Sequence, residues 1–556
     1  MKKWLPLFKL SFFVLMTIFI CVSIGNWMML LFSLAECLLI FAGCSMLYYK
    51  APRWAYALNV ICLFVYAAQL FVYYFSGEFI SKLMLENVNM ISNLGNELII
   101  YILTCIPITA VLFFPIIQGV IPKNKWWVVA LAVAGMLLLT VCKPMQPVSP
   151  YTAAIGGAVR NLKANYYQSL AASYEQEELY SLFYKKDIPA GAINVGINSD
   201  KQPMSVILML TEGLSAEVLD VYNNHGRNLT PHLDALYAKS LVFDNYYNHT
   251  AATFRGVRGQ LYSSYQYQGG YQGGAGLGEL DADTQRKMLA TKLVSIVDIL
   301  KNKAGYNTCY INPEPGDKNV VSYLYSLGVD TLASGHYGHD KARTDKQIFE
   351  VLKNTVRYYK NQQEPFFIIC YNLGTHHGYD SPDLKYGDGA NSYLNKFYNY
   401  DAAFGDFFKE MSQEGVFDNT LLVFSADHAT YPSPEYKATF ASSQWGFINK
   451  IPLFIYTDGI VPQKIDAEGR NSLDLTPTLL DILDVHKVDN YFLGTSLKED
   501  FDGVLTFTFD ENGRKINFFY KLESGGLRLE DAQRAQFKNS LAVDRSSNPI
   551  VMFFAK

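Results

Sequence analysis

Long apolar stretches fill the front of the chain, and short ones alternate with amphipathic segments through the rest. Five of the long stretches, approximately 4–24, 28–49, 54–75, 98–121 and 126–142, can cross a bilayer as helices, the last with help from its flanks or local thinning. Lys2/Lys3, Lys50/Arg53 and Lys123/Lys125 fall on one side of the bilayer, which the positive-inside rule makes cytoplasmic. An odd number of spans then places everything after Cys142 outside the cytoplasm. Lys2 and Lys3 before an apolar run also resemble a signal peptide, but four further spans favour an uncleaved first helix. Glu36 lies inside the second span, where a carboxylate is costly and implies either a bond to a neighbouring helix or a lipid-headgroup contact. The outer loop 76–97 mixes Phe79, Ile80, Leu83, Met84 and Leu85 with Glu78, Lys82 and Glu86, a pattern for a helix lying in the membrane interface.

The proline-rich run Lys143-Pro144-Met145-Gln146-Pro147-Val148-Ser149-Pro150 reads as an extended exit from the membrane. An amphipathic helix follows over 157–186, carried by Leu162, Tyr166, Leu170, Tyr174 and Leu179. Strand-like and helix-like segments then alternate, which predicts an α/β domain with a mostly parallel sheet. Strands are expected at Ser205–Leu210, Leu241–Phe243, Thr308–Ile311, Phe366–Tyr371, Leu421–Phe424 and Pro452–Tyr456. Helices are expected from Thr230-Pro231, over 289–303 and 345–359, and from Thr476-Pro477. Asp510-Glu511-Asn512-Gly513-Arg514 carries the Asn-Gly of a hairpin turn, and 265–278 forms a glycine-rich loop.

Composition adds exclusions. The 556 residues exceed one ordinary domain, and a net charge of −4 gives no footprint for nucleic acid. Six of the eight cysteines lie in the apolar front part; Cys309 and Cys370 are expected as buried free thiols, and no CxxC zinc spacing occurs.

Candidate chemistry gathers at strand ends, where open α/β sheets place their sites. Leu421-Leu422-Val423-Phe424-Ser425-Ala426 ends in Asp427-His428, and Ser205–Leu210 ends in Thr211-Glu212. Glu212, Asp427 and His428 together offer oxygen and nitrogen ligands for a divalent metal. Thr253 supplies a hydroxyl which such a metal would activate as a nucleophile, followed by Arg255 and Arg258 as contacts for an anion. A further strand leads to Gly374-Thr375-His376-His377, whose histidines suit protonation of a leaving group or a bond to a phosphoryl oxygen.

In order along the chain, Val206–Glu212, Thr230-Pro231-His232-Leu233-Asp234, Thr253-Phe254-Arg255-Gly256, Gly374-Thr375-His376, Leu421–His428, Ile451-Pro452-Leu453-Phe454 and Asp474-Leu475-Thr476-Pro477-Thr478 resemble the alkaline phosphatase/sulfatase superfamily. Within it, the chain is similar to lipoteichoic acid synthase and the phosphoglycerol and phosphoethanolamine transferases. The resemblance implies a sulfatase-like α/β domain outside the cytoplasmic membrane on a five-helix anchor. It implies Glu212, Thr253, Asp427 and His428 as ligands of one Mn²⁺ or Zn²⁺, with Thr253 as the covalently modified residue. His376 fits the family's Gly-Thr-His pattern better than His377, which is left with Arg255 and Arg258 as a substrate contact. The implied partners are a phospholipid donor and a cell-envelope glycan or lipid acceptor.

The organisation expected is an anchor over 1–145, a linker and juxtamembrane helix over 146–202, a catalytic domain over 203–500, and a C-terminal hairpin and tail over 501–556. The alternatives are a phosphodiester or sulfate-ester hydrolase of the same fold, or an inactive regulatory relative. Against a formylglycine sulfatase, the nearest C/S-x-P-x-R match, Cys142-Lys143-Pro144-Met145-Gln146, lacks the arginine.

Overall fold

The computed structural model describes residues 4–76, 79–80, 97–116, 127, 149–171, 187–197, 204–223, 226–249, 253–264, 293–337, 341–444, 448–492, 494–499, 508–509 and 515–517. They divide into two compact units, Met1–Lys163 and Ala164–Lys556.

The first unit holds α1 (Leu5–Ile24), α2 (Trp27–Tyr48), α3 (Pro52–Ser76), α4 (Glu97–Leu112) and the start of α5 (Pro150–Ala171). Among the described residues, α1, α2 and α3 are long and apolar enough to cross a membrane. Gly25 ends α1 with φ +73°, and the Asn26 side chain caps α2 by accepting from Met29 N at 3.0 Å. Two residues thus reverse the chain. The fourth expected span is helical only to Leu112, and the fifth, apart from Trp127, lies outside the described residues, as does most of loop 76–97.

Two buried charges organise this unit. Lys9, which the hydropathy pattern does not single out, donates to Asn59 Oδ1 (2.7 Å) and to the carbonyls of Leu112 (2.6 Å) and Phe114 (3.1 Å). An ammonium at the C-terminal end of α4 satisfies carbonyls that the helix itself leaves open. Glu36 does the converse at the N-terminal end of α5. It accepts from Ser149 Oγ (2.5 Å), Tyr151 N (3.1 Å) and Thr152 N (3.3 Å). Its partner is therefore a helix terminus within the protein, and that helix starts at Pro150 instead of near residue 157.

The second unit is built on an eight-stranded sheet. Its strands are β1 (Ser205–Thr211), β2 (Leu241–Asp244), β3 (Asn307–Ile311), β4 (Thr331–Ala333), β5 (Phe366–Tyr371), β6 (Thr420–Ala426), β7 (Phe454–Tyr456) and β8 (Gln463–Asp466), in the order β4-β3-β5-β1-β6-β7-β2-β8. Only β7 runs antiparallel to its neighbours β6 and β2. A separate antiparallel pair, β9 (Thr508–Phe509) with β10 (Lys515–Asn517), is the expected C-terminal hairpin; its turn lies outside the described residues. The helices are α6 (Pro231–Tyr237), α7 (Thr253–Tyr262), α8 (Ile296–Ala304), α9 (Lys318–Ser326), α10 (Asp345–Gln362), α11 (Ser392–Gln413), α12 (Pro434–Phe440) and α13 (Leu475–Ile482).

Every residue of β1, β5 and β6 is buried, which is why these strands read as unbroken apolar runs. Cys309 and Cys370 are buried free thiols, as expected. Two capping expectations are corrected. Thr230 makes no side-chain cap; Asp401 of α11 accepts from His232 N (3.1 Å) and Leu233 N (2.8 Å) instead. The last helix begins at Leu475, and Thr476 Oγ1 donates to the Gln260 carbonyl of α7 at 2.7 Å.

Candidate active site

Register brings the expected residues together. β1 lies between β5 and β6, with Thr211 opposite Ala426 and Leu210 opposite Tyr371. Glu212 and Asp427 are therefore the next residues out on adjacent parallel strands, and His428 follows. One ligand atom from each of these three buried residues lies within 4.8 Å of the others. His428 Nε2 is 3.5 Å from both Glu212 Oε1 and Asp427 Oδ2. The Nδ1 of His428 is 2.7 Å from the carbonyl of Ala429, which acts as its acceptor and leaves Nε2 facing the carboxylates with its lone pair available to a cation.

Thr253 is the first residue of α7, and its hydroxyl donates to Glu212 Oε2 at 2.8 Å. The sequence Thr253-Phe254-Arg255-Gly256-Val257-Arg258-Gly259-Gln260 explains how the helix comes so close. A Cβ on Gly256 would sit 2.2 Å from the Asp427 carbonyl, and one on Gly259 would sit 1.9 Å from His249 Nε2. Gln260, one turn beyond Gly256, donates to the carbonyls of Ala426 (3.0 Å) and Asp427 (3.2 Å). Bare backbone and one amide thus hold α7 along the tip of β6.

The electrostatics suit a cation. Burial pushes Asp427 up, and the neighbouring Glu212 charge pushes it further. Burial also works against the charge of Glu212, but His428, His376 and the hydroxyls of Tyr371 and Thr253 outweigh it and hold Glu212 low. His428 is raised: the pull of Asp427 and Glu212 overcomes burial. Asp427 Oδ1 accepts from Gly213 N (2.9 Å) and His428 N (2.7 Å), whereas buried Oδ2 has no hydrogen-bond donor. Two buried carboxylates, one carrying an orphaned oxygen, beside an imidazole are a fitting donor set for one divalent metal.

His376 lies near enough for its charge to lower Glu212, and its ring meets Tyr379 edge-on at 5.6 Å. His377 turns elsewhere: its Nδ1 bonds Tyr393 Oη at 2.8 Å and its ring centroid is 4.3 Å from that of Tyr431. Arg255 is half-buried, while Arg258 is buried with its guanidinium 4.8 Å from the Tyr262 ring centroid. Thr250, the other hydroxyl near Thr253, lies outside the described residues.

Two further residues bear on Glu212, one by a hydrogen bond and one by charge. Tyr371, the last residue of β5, donates a short hydrogen bond to Glu212 Oε2. Burial and the charges of Glu212 and Asp427 keep its phenol protonated. Glu314, beyond β3, is pushed up to about 7 by burial and then by Asp317 and Glu212. Both stand at strand ends on the same rim, and that position is the only signal for them in the sequence.

Residues 205–485 match the family model described as Sulfatase. The chain belongs to the sulfatase family. The expected resemblance to the alkaline phosphatase/sulfatase superfamily therefore holds. The chain is similar to lipoteichoic acid synthase 2 of Bacillus subtilis (strain 168), 23% identical over 437 residues, covering 72% of this chain and 62% of that protein. It thus spans less than two thirds of that relative's length. Among solved structures it is similar to the lipoteichoic acid synthase LtaP from Listeria monocytogenes, at 15% identity and TM-score 0.45 over 58% of this chain and 81% of that one. The C-terminal periplasmic domain of EcEptC from Escherichia coli is 19% identical, with TM-score 0.41 over 60% of this chain and 94% of that one.

Proposed function

We propose that this protein is a membrane-anchored, metal-dependent phosphotransferase that moves a phospho-alcohol group, phosphoglycerol or phosphoethanolamine, from a phospholipid to a cell-envelope glycan or lipid. The observation that carries this reading is the Thr253 hydroxyl, placed at a helix start on Glu212 beside Asp427 and His428. Glu212, Thr253, Asp427 and His428 would hold one Mn²⁺ or Zn²⁺, whose chemistry is to lower the cost of the Thr253 alkoxide and to offset phosphodiester charge.

Thr253 Oγ attacks phosphorus as the bond to the diacylglycerol oxygen breaks, so the phospho-alcohol becomes esterified to Thr253. The threonine proton has an acceptor in Glu212 Oε2, already at 2.8 Å, and His376 protonates the departing oxygen. An acceptor hydroxyl then attacks the same phosphorus and gives up its proton to His376, as the bond from phosphorus to Thr253 Oγ breaks and that oxygen takes its proton back from Glu212 Oε2. Arg255 and Arg258 would contribute positive charge for the diester, and His377 would serve as a further substrate contact only by leaving Tyr393 and Tyr431. The start of α7 adds partial positive charge at Thr253.

A five-span anchor with the catalytic domain outside the cytoplasm keeps these residues at the surface that presents the lipid donor. No nucleotide is consumed, which suits that compartment. The reading is tested by incubating the purified protein with headgroup-labelled phospholipid and a hydroxylated acceptor. Label moving to the acceptor together with released diacylglycerol supports transfer. Free phospho-alcohol as the sole product would mark a hydrolase.

A further inference from the structure

A buried polar chain stands behind Glu212 and engages its main-chain groups, apart from Thr253's hydrogen bond to its carboxylate. Asn372, the residue after β5, accepts from Glu212 N through Oδ1 at 3.1 Å. Its Nδ2 donates to Asp345 Oδ1 at 2.9 Å and to Thr375 Oγ1 at 3.1 Å. Thr375 Oγ1 in turn donates to the Glu212 carbonyl at 2.7 Å. Both main-chain groups of Glu212 are therefore held by side chains from the segment that also carries His376. Asp345, Asn372 and Thr375 are all buried.

Asp345 sets the sense of this chain. Its carboxylate accepts from Asn372, from Asn399 Nδ2 (3.2 Å) and from Gly374 N. A carboxylate only accepts, so the Asn372 amide must turn its NH₂ toward Asp345 and its oxygen toward Glu212 N. The fit leaves no slack, since a Cβ on Gly374 would stand 2.3 Å from Asp345 Oδ1. The glycine of Gly374-Thr375-His376 is thus explained by the carboxylate behind it.

We propose that Asp345, acting through Asn372 and Thr375, is a positioning residue that holds Glu212 in ligand geometry and in register with His376. The proposal rests on the reading that Glu212 binds a metal. Outer-shell partners of this kind typically change metal affinity about 10- to 100-fold when removed.

The test is a Mn²⁺ titration by calorimetry on the full-length protein in detergent, stripped of metal, with the melting temperature of each metal-free variant recorded alongside. Asp345→Asn should bind Mn²⁺ about 10- to 100-fold more weakly. Thr375→Val, which removes one hydroxyl, should weaken Mn²⁺ on its own and carries the test should Asp345→Asn not fold. Unchanged Mn²⁺ affinity in folded Asp345→Asn or Thr375→Val would overturn the proposal, as would a lower melting temperature with unaltered affinity. Wild-type protein that binds neither Mn²⁺ nor Zn²⁺ would instead remove the metal reading itself.

Discussion

The hydroxyl of Thr253 donates to Oε2 of Glu212 across 2.8 Å, joining the first residue of α7 to the first residue beyond β1. The bond is possible because Gly256 lets the helix lie against the Asp427 carbonyl, where a Cβ would stand at 2.2 Å. One glycine thereby brings the Thr253 hydroxyl to two strand tips. A Gly256→Ala variant should lose most activity while Mn²⁺ still binds to Glu212, Asp427 and His428. Parallel activity and Mn²⁺ titrations check it.

The carboxylate and imidazole ligands should be separable from the fold. Asp427→Ala and His428→Ala are each expected to lose stoichiometric metal and activity, and the double variant should retain no metal by elemental analysis. Chelation should lower the melting temperature of the wild type, because an ion bound only by the folded state stabilises it. The double variant should show no such response.

Glu314 gives a pH signature. Burial, and then the Asp317 and Glu212 charges, push it up to about 7. A cation at Glu212 favours the ionised form, so by reciprocity ionised Glu314 favours the cation. Metal affinity of the wild type should therefore gain an extra several-fold rise between about pH 6 and pH 8, on the order of three- to tenfold. In Glu314→Gln that increment should be absent, while other titrating groups contribute equally to both proteins. Metal titrations at the two pH values decide it.

The legible part of this structure is the part that a two-faced parallel sheet imposes on a sequence. β1, β5 and β6 are buried throughout, so they read as apolar runs, and their tips point to Glu212, Asp427 and His428. β4 and β8 are short and only partly buried, and neither run stands out. Helix α11 is hidden because its buried face carries Asn395, Lys396, Asn399 and Asp401 among the aromatics. Lys9 is inconspicuous inside an apolar span because its partners, Asn59 and the carbonyls of Leu112 and Phe114, are distant in sequence. Tyr371 and Asn372 depend on the β1–β5 register, and one strand alone does not reveal its neighbour.

In the anchor, Glu36 should matter for stability. Glu36→Ala removes the acceptor from Ser149 Oγ and from the first turn of α5, which should cost about 1–3 kcal/mol. Glu36→Gln keeps an acceptor oxygen and should cost less. Thermal unfolding in one detergent compares the three proteins, and equal stability would remove the cap from the account.

The proposed orientation rests on the basic flanks Lys2/Lys3, Lys50/Arg53 and Lys123/Lys125. A cysteine introduced at Ser199 should react with an impermeant reagent added to intact cells or spheroplasts, and one at Asn124 only after permeabilisation. The reverse pattern would invert the topology.

The central claim is a covalent phospho-alcohol on Thr253. Thr253→Ala should fold and keep weakened metal binding, since Glu212, Asp427 and His428 remain, but turnover should fall by about three orders of magnitude or more. Thr253→Ser should retain part of the activity. The decisive measurement is peptide mass spectrometry of wild-type protein quenched during turnover with phospholipid. The expected result is the mass of phosphoglycerol or phosphoethanolamine on Thr253. An adduct on Thr250 instead, or full turnover by Thr253→Ala, would contradict it.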